Sequence, residues 1–71
     1  MGIAHIIGIH IKQYREASGM SQLDLALMLD VEQSNISHYE CGIRTPNIEM
    51  LIKIADVFGL KLWAFLKEIN L

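Results

Sequence analysis

The sequence predicts a compact all-α protein built from five short helices. Its 71 residues are enough for one small domain and leave no room for a second. A hydrophobic content of 52% with 20% charged residues excludes a disordered chain, and the apolar residues recur at the three- or four-residue spacing of helices. Breaks are expected at Gly19, Asp30, residues 42–46 and Gly59, and they divide the chain into five segments.

The first helix is expected over about residues 6–17, where Ile7, Ile11 and Tyr14 form an apolar stripe. Its start is ambiguous, because Ile3 and the four isoleucines that follow are β-branched and fit a strand nearly as well. If the segment is helical, Ile6 and Ile9 point away from the core face. They then form a contact surface or belong to a segment that is fully packed in, and the sequence leaves both alternatives open.

The second and third helices follow a capping signal and a short turn. Ser21 is a good N-cap with Asp24 three residues later, and an apolar face follows. That face consists of Leu25, Ala26 and Leu29. Asp30 lies in a tight turn and tolerates a left-handed conformation better than most residues. The third helix is expected over about residues 33–41 and ends at Gly42.

Two more helices complete the bundle. Asn47 caps the fourth, whose expected buried stripe is Ile48, Leu51, Ile52, Ala55 and Phe58. The fifth is expected over about residues 62–69, with Leu62, Phe65, Leu66 and Ile69 on its inner side. Three methionines, Met20, Met28 and Met50, are expected to fill gaps in the core.

The outer face of the third helix carries the functional signal. At 100° per residue, one arc about 140° wide collects five short uncharged side chains, Gln33, Ser34, Ser37, His38 and Cys41. Glutamine bonds adenine with two hydrogen bonds, serine bonds a base or a phosphate, and histidine donates to guanine or a phosphate. This pattern favours contact with base edges, and an ordinary polar helix face is the alternative.

Two helices packed at a steep angle are predicted here. The prediction rests on the spacing of the small residue Ala26, the turn at Asp30 and the inward residues Ile36 and Tyr39. Over about residues 7–66 the chain resembles the Cro/repressor-type helix-turn-helix transcription regulators. The resemblance rests on YREASGMSQ at 14–22, Leu25-Ala26, Val31, ISHYECG at 36–42, TPN at 45–47, Leu51, Ile54-Ala55 and FGL at 58–60.

The resemblance implies a lambda-repressor-like bundle, with residues 1–71 forming a single DNA-binding domain. Its helix-turn-helix unit spans about residues 22–41, and its third helix enters the major groove. The implied DNA-binding residues are Gln22, Gln33, Ser34, Asn35, Ser37, His38, Arg44 and Thr45. Of these, Gln33, Ser34, Ser37 and His38 match base-contact positions, and Arg44 and Thr45 lie in a phosphate-gripping loop. Arg15 and Glu40 match a pair that bridges the first and third helices.

The charge of the recognition region departs from the family pattern. Between residues 20 and 46 one basic residue, Arg44, stands against four acidic residues, and the whole chain has a net charge of −2. Because phosphate contacts supply non-specific affinity, we expect weak non-specific binding and a shallow salt dependence. The same acidity supports a second interpretation, a protein-interaction module that keeps the scaffold with little DNA affinity.

Apolar residues in and around the last helix predict a contact between two copies of the chain. Trp63 lies off the inner face of the last helix, and with Leu60 and Leu71 it predicts a homodimer contact. A dimer places two recognition helices about 34 Å apart on a palindromic operator.

The single cysteine, Cys41, indicates a reduced protein in the cytoplasm. No residues suggest a cofactor, a metal site or an enzyme, and the apolar runs are too short to span a membrane.

Overall fold

A computed structural model describes residues 2–69, and it confirms the all-α, five-helix prediction. The helices are α1 (Ile3–Ala17), α2 (Gln22–Leu29), α3 (Gln33–Glu40), α4 (Ile48–Val57) and α5 (Leu62–Lys67). The core contains eleven buried hydrophobic residues in the described part of the chain, and the largest fully buried side chains are Ile11, Leu25, Ile36, Ile54 and Phe65. Within residues 2–69, no helix combines the length and the apolar character needed to cross a bilayer.

The N-terminal isoleucines are helical, which settles the ambiguity between helix and strand. The first helix begins at Ile3, about one turn earlier than expected. Ile7 and Ile11 are buried as predicted, whereas Ile6 and Ile9 are half-buried. These two side chains are therefore neither fully packed in nor fully exposed, and the structure lies between the two alternatives.

The crossing of α1 over α3 depends on Gly8. A Cβ atom at this position would lie 2.2 Å from the carbonyl oxygen of Tyr39 and 2.9 Å from that of Glu40. Such distances are far below van der Waals contact, and both neighbours are backbone atoms that cannot rotate away. The two helix backbones therefore touch, and only glycine fits between them.

Both ends of α2 have the predicted geometry. The Ser21 hydroxyl accepts from the Asp24 N–H at 3.0 Å, and the Asp24 carboxylate accepts from the Ser21 N–H at 2.9 Å, which completes a capping box. Asp30 ends α2 in the left-handed region at φ 57° and ψ 46°. The Val31 N–H donates to the carbonyl oxygen of Ala26 at 3.0 Å, which closes the turn.

The stripe predicted for α4 is wrong at two positions. Ile48 and Ile52 are exposed, and Ile54 is fully buried in their place. The observed inward positions 51, 54, 55 and 58 follow the i, i+3, i+4, i+7 pattern, whereas residues 48 and 52 lie on a flank of the helix. Apolar residues occupy both sets of positions, so spacing alone did not distinguish them.

The methionine prediction is also wrong in one case. Met20 and Met50 pack against the core, but Met28 is 59% exposed. Met28 follows the exposed Leu27 on the outer side of α2. Its inward neighbours Leu25 and Leu29 already fill the space between α2 and the rest of the bundle.

An aromatic cluster joins α5 to α1. Phe65 is fully buried, and its carbonyl oxygen accepts from His10 Nε2 at 2.8 Å. The cluster consists of the rings of His10, Tyr14, Phe58 and Phe65. In each contacting pair, the two ring centroids lie 4.6 to 6.2 Å apart. The Tyr14 hydroxyl donates to the Glu68 carboxylate, and this hydrogen bond is the main cause that raises the pKa of Tyr14. These contacts fix the last helix against the first.

We expect Gly8→Ala to destabilise the protein by about 1–3 kcal/mol or more, because the added methyl group overlaps two carbonyl oxygens. Urea unfolding followed by circular dichroism measures the effect. The matched control is Gly2→Ala, where an added Cβ meets no atom within 4 Å. Equal stability of the two variants would contradict the close crossing of α1 and α3.

Candidate nucleic-acid interface

The outer face of α3 presents four accessible polar side chains, which we call the outer row: Gln33, Ser34, Ser37 and His38. Gln33 and Ser34 are exposed, and Ser37 and His38 are half-buried. The opposite face, formed by Ile36, Tyr39 and Glu40, is buried. The helix therefore separates an anchoring face from a face of hydrogen-bonding groups that carries no Lys, Arg, Asp or Glu.

A buried ion pair anchors the inner face of α3. Arg15 Nε donates to Glu40 Oε2 at 2.7 Å, and Arg15 Nη2 donates to Glu40 Oε1 at 3.1 Å. The third donor, Nη1, bonds the carbonyl oxygen of Met20 at 2.8 Å. The hydrogen bonds to Glu40 raise the pKa of Arg15, and burial opposes them. The pair fixes α3 to α1 and to the segment that leads into α2.

Gln22 is connected to the same ion pair. Its Nε2 donates to Glu40 Oε1 at 3.1 Å, so the buried carboxylate accepts from two side chains through that oxygen. The side chain of Gln22 is half-buried at the start of α2. Its amide keeps one N–H and the carbonyl oxygen for a further partner. The family resemblance includes Gln22 among the DNA-binding residues, but the sequence did not indicate this contact with Glu40.

The loop after α3 lies against the helix itself. The N–H groups of Ile43 and Arg44 both donate to the carbonyl oxygen of His38, at 3.0 and 3.2 Å. Arg44 Nη1 donates to Asn35 Oδ1 at 3.3 Å, and Thr45 is exposed. The loop residues therefore border the outer row, and sequence reasoning did not foresee the contact between Arg44 and Asn35.

The exposed acidic side chains near the outer row lie close to helix ends. Asp24 belongs to the capping box, and the hydrogen bond from the Ser21 N–H, with a smaller effect of the Ser21 side chain, lowers the pKa of its carboxyl group. Asp30 and Glu32 are exposed at either end of the turn between α2 and α3. The Glu40 carboxylate is paired and buried, so the exposed negative charges lie at the ends of α2 and at the start of α3.

The residues predicted to form a dimer contact lie on and beside α5. Trp63 is 66% exposed, and Lys67 Nζ lies 5.2 Å from its ring centroid. Leu60 is half-buried and packs against the core. Leu71 lies outside the described residues. Of the two members of the predicted set that the structure describes, Trp63 is the more accessible.

The three histidines do not come together. His10 is buried between α1 and α5, whereas His5 and His38 lie on α1 and α3. In the part of the chain that the structure describes, no group of three or more histidine, cysteine, aspartate or glutamate residues has the arrangement of a metal site. Cys41 is an exposed free thiol at the end of α3, as expected.

Comparisons with known proteins agree with this geometry. The family model HTH_3, described as helix-turn-helix, matches residues 11–62. The Xenopus laevis protein named endothelial differentiation-related factor 1 homolog is 43% identical over 56 residues, which cover 79% of this chain. The matched region spans only 38% of the length of that protein.

Two solved structures show the same fold. The clp gene regulator ClgR from Corynebacterium glutamicum superposes with a TM-score of 0.89 at 20% identity, covering 97% of this chain and 73% of that one. SinR, a master regulator for biofilm formation solved in complex with DNA, superposes with a TM-score of 0.76 at 36% identity, covering 84% of this chain and 97% of that one. Because the family model matches well over half of the residues, the chain belongs to the HTH_3 family of Cro/repressor-type helix-turn-helix proteins.

Proposed function

We propose that this chain binds double-stranded DNA sequence-specifically as a small transcriptional regulator, with α3 in the major groove. The observation that carries the proposal is the outer row, Gln33, Ser34, Ser37 and His38, which stays accessible while the other face of α3 is buried. A helix that enters the major groove reads base edges with side chains of this kind.

The similarity to SinR supports the same conclusion. SinR was solved in complex with DNA, and it is 36% identical to this chain over most of both proteins. The relatives therefore favour the DNA-binding interpretation over the protein-interaction module. The chemistry is reversible, non-covalent recognition, which needs neither a catalytic step nor a cofactor. We propose that the protein acts in the cytoplasm.

The residues of the interface divide into two roles. Gln33 and the two serines of the outer row face base edges, and His38 donates to guanine or to a phosphate. Gln22, Asn35, Arg44 and Thr45 lie at the flanks and act toward the sugar–phosphate backbone. With a single cation among these residues, backbone amides and helix N-termini supply much of the phosphate contact.

A homodimer supplies the rest of the affinity. One unit of this size buries too little surface to specify a site in a genome, so we propose two copies on a palindromic operator. Trp63 is the best anchor for the contact between copies, because it is a large exposed aromatic side chain on the last helix. Leu60 and Leu71 complete the predicted set.

Selection on random duplexes tests the proposed function. We expect the wild-type chain to enrich a palindromic motif, and we expect Gln33→Ala combined with Ser37→Ala to lose that enrichment without a large change in melting temperature. The double substitution removes base-directed groups from the outer row while the buried face stays intact.

The matched control is Gln13→Ala combined with Ser18→Ala, which removes the same residue types from exposed positions on and after α1. We expect this control to select the wild-type motif. Recovery of no motif by the wild-type chain would favour the protein-interaction module instead.

The salt dependence of binding gives a second prediction. We expect the slope of log K against log[salt] on the selected duplex to be shallower than about −8, because each neutralised phosphate contributes roughly −0.9 and residues 20–46 of each copy contain one lysine or arginine. Fluorescence anisotropy over a series of salt concentrations measures it. A slope as steep as that limit contradicts this account of the interface.

Sedimentation equilibrium tests the dimer. We expect the wild-type chain to be dimeric at micromolar concentrations and Trp63→Ala to shift the equilibrium toward monomer, because a central aromatic anchor contributes about 2 kcal/mol or more to such contacts. The control is Leu27→Ala, which removes a side chain that is 71% exposed on α2. A strictly monomeric wild-type chain rejects the dimer.

A further inference from the structure

Arg44 makes hydrogen bonds to α3 through both its backbone and its side chain. Arg44 is the only lysine or arginine between residues 20 and 46. Its backbone N–H donates to the carbonyl oxygen of His38 at 3.2 Å, and its Nη1 donates to Asn35 Oδ1 at 3.3 Å. The backbone and the guanidinium of Arg44 are therefore both attached to α3.

The position and hydrogen bonds of Asn35 suit it to hold the side chain of Arg44 in place. It lies three residues before His38, so the two residues neighbour each other on the surface of α3. Its backbone N–H donates to the carbonyl oxygen of Glu32 at 3.0 Å, and its side chain is half-buried, less accessible than Gln33 or Ser34 beside it. Its amide oxygen is engaged by Arg44. The acceptor of Asn35 thus serves the protein rather than a DNA donor.

An arginine held in place before binding has an advantage over a free one. A long side chain loses rotamer freedom when it contacts a phosphate, and that loss weakens association. An amide oxygen that restricts the guanidinium beforehand reduces the loss. The effect matters here because no second lysine or arginine in residues 20–46 can take over the contact.

We propose that Asn35 is a positioning residue for Arg44, whose guanidinium it holds beside the outer row so that it meets a backbone phosphate at the edge of the major groove. The inference rests on the proposed DNA-binding function and deepens it. It gives Asn35 an indirect role in place of the direct contact with the sugar–phosphate backbone assigned to it above.

The protein without DNA supplies the first test. The chain has two arginines, and the buried Arg15 is an internal reference for a rigid side chain. We expect 15N relaxation of the Arg44 Nε–H to show restricted picosecond-to-nanosecond motion in the wild-type chain, and Asn35→Ala to increase that motion while Arg15 stays unchanged. Equal mobility of Arg44 in both proteins overturns the positioning role whether or not the chain binds DNA.

A double-mutant cycle on the selected duplex supplies the second test. We expect Arg44→Ala to weaken binding by about tenfold and to make the salt slope shallower by roughly 1.8, because each of the two copies on the operator loses one phosphate contact. Asn35→Ala should weaken binding by about threefold in the wild-type background and by less than about 1.5-fold in the Arg44→Ala background, since coupled residues are not additive.

The control for loss of charge is Lys53→Ala, which removes a cation from α4 next to Asp30 and Asp56. We expect it to leave the coupling between the other two substitutions unchanged. An equal loss from Asn35→Ala in both backgrounds shows that Asn35 acts independently of Arg44 and overturns the inference alone. A wild-type chain that selects no motif overturns the proposed function, and the phosphate role of Arg44 falls with it.

Discussion

The position of α3 depends on one buried ion pair. Arg15 reaches from α1 to Glu40 with two hydrogen bonds and to the Met20 carbonyl with a third. Removing one partner of such a pair leaves an uncompensated buried charge, which in general costs about 3–5 kcal/mol. The net gain in stability from the intact pair is much smaller than this cost. Its main effect is therefore specific geometry, because α3 cannot rotate on the bundle without breaking the pair.

The same carboxylate connects geometry to recognition. Glu40, on the inner face of α3, accepts from Arg15 of α1 and from Gln22, the first residue of α2, so one carboxylate joins three helices. Gly8 adds a steric constraint, because the backbones of α1 and α3 touch there. Two neighbouring contacts of different kinds, one electrostatic and one steric, hold the outer row in a fixed direction. Rigid support of this type favours selective contact with base edges.

Local features of the fold were predictable from the sequence because they depend on neighbouring residues. The Ser21 cap with Asp24 three residues later, the Asn47 cap and the turn at Asp30 each involve groups within a few positions. Features that depend on distant residues were not predictable. The choice between the two apolar flanks of α4, the backbone contact at Gly8 and the bond from His10 to α5 depend on how the helices pack.

The candidate site shows the same division. The polar outer face of α3 follows from helical periodicity, and the Arg15–Glu40 pair follows from the family resemblance. The ties from Gln22 to Glu40 and from Arg44 to Asn35 join residues that are 18 and 9 positions apart. Spacing gives no signal for either contact, since both depend on where a turn or loop directs a flexible side chain.

The unusual start of α3 affects the thermodynamics of recognition. Ser21 and Asn47 cap α2 and α4 with side-chain hydrogen bonds, whereas Glu32 makes no such bond at the start of α3. The first turn of α3 consequently has less local stabilisation than the first turns of α2 and α4. On the proposed function, contact with a duplex would restrict this turn further. The conformational entropy lost there would offset part of the interaction enthalpy, which would lower the affinity and make it more dependent on temperature.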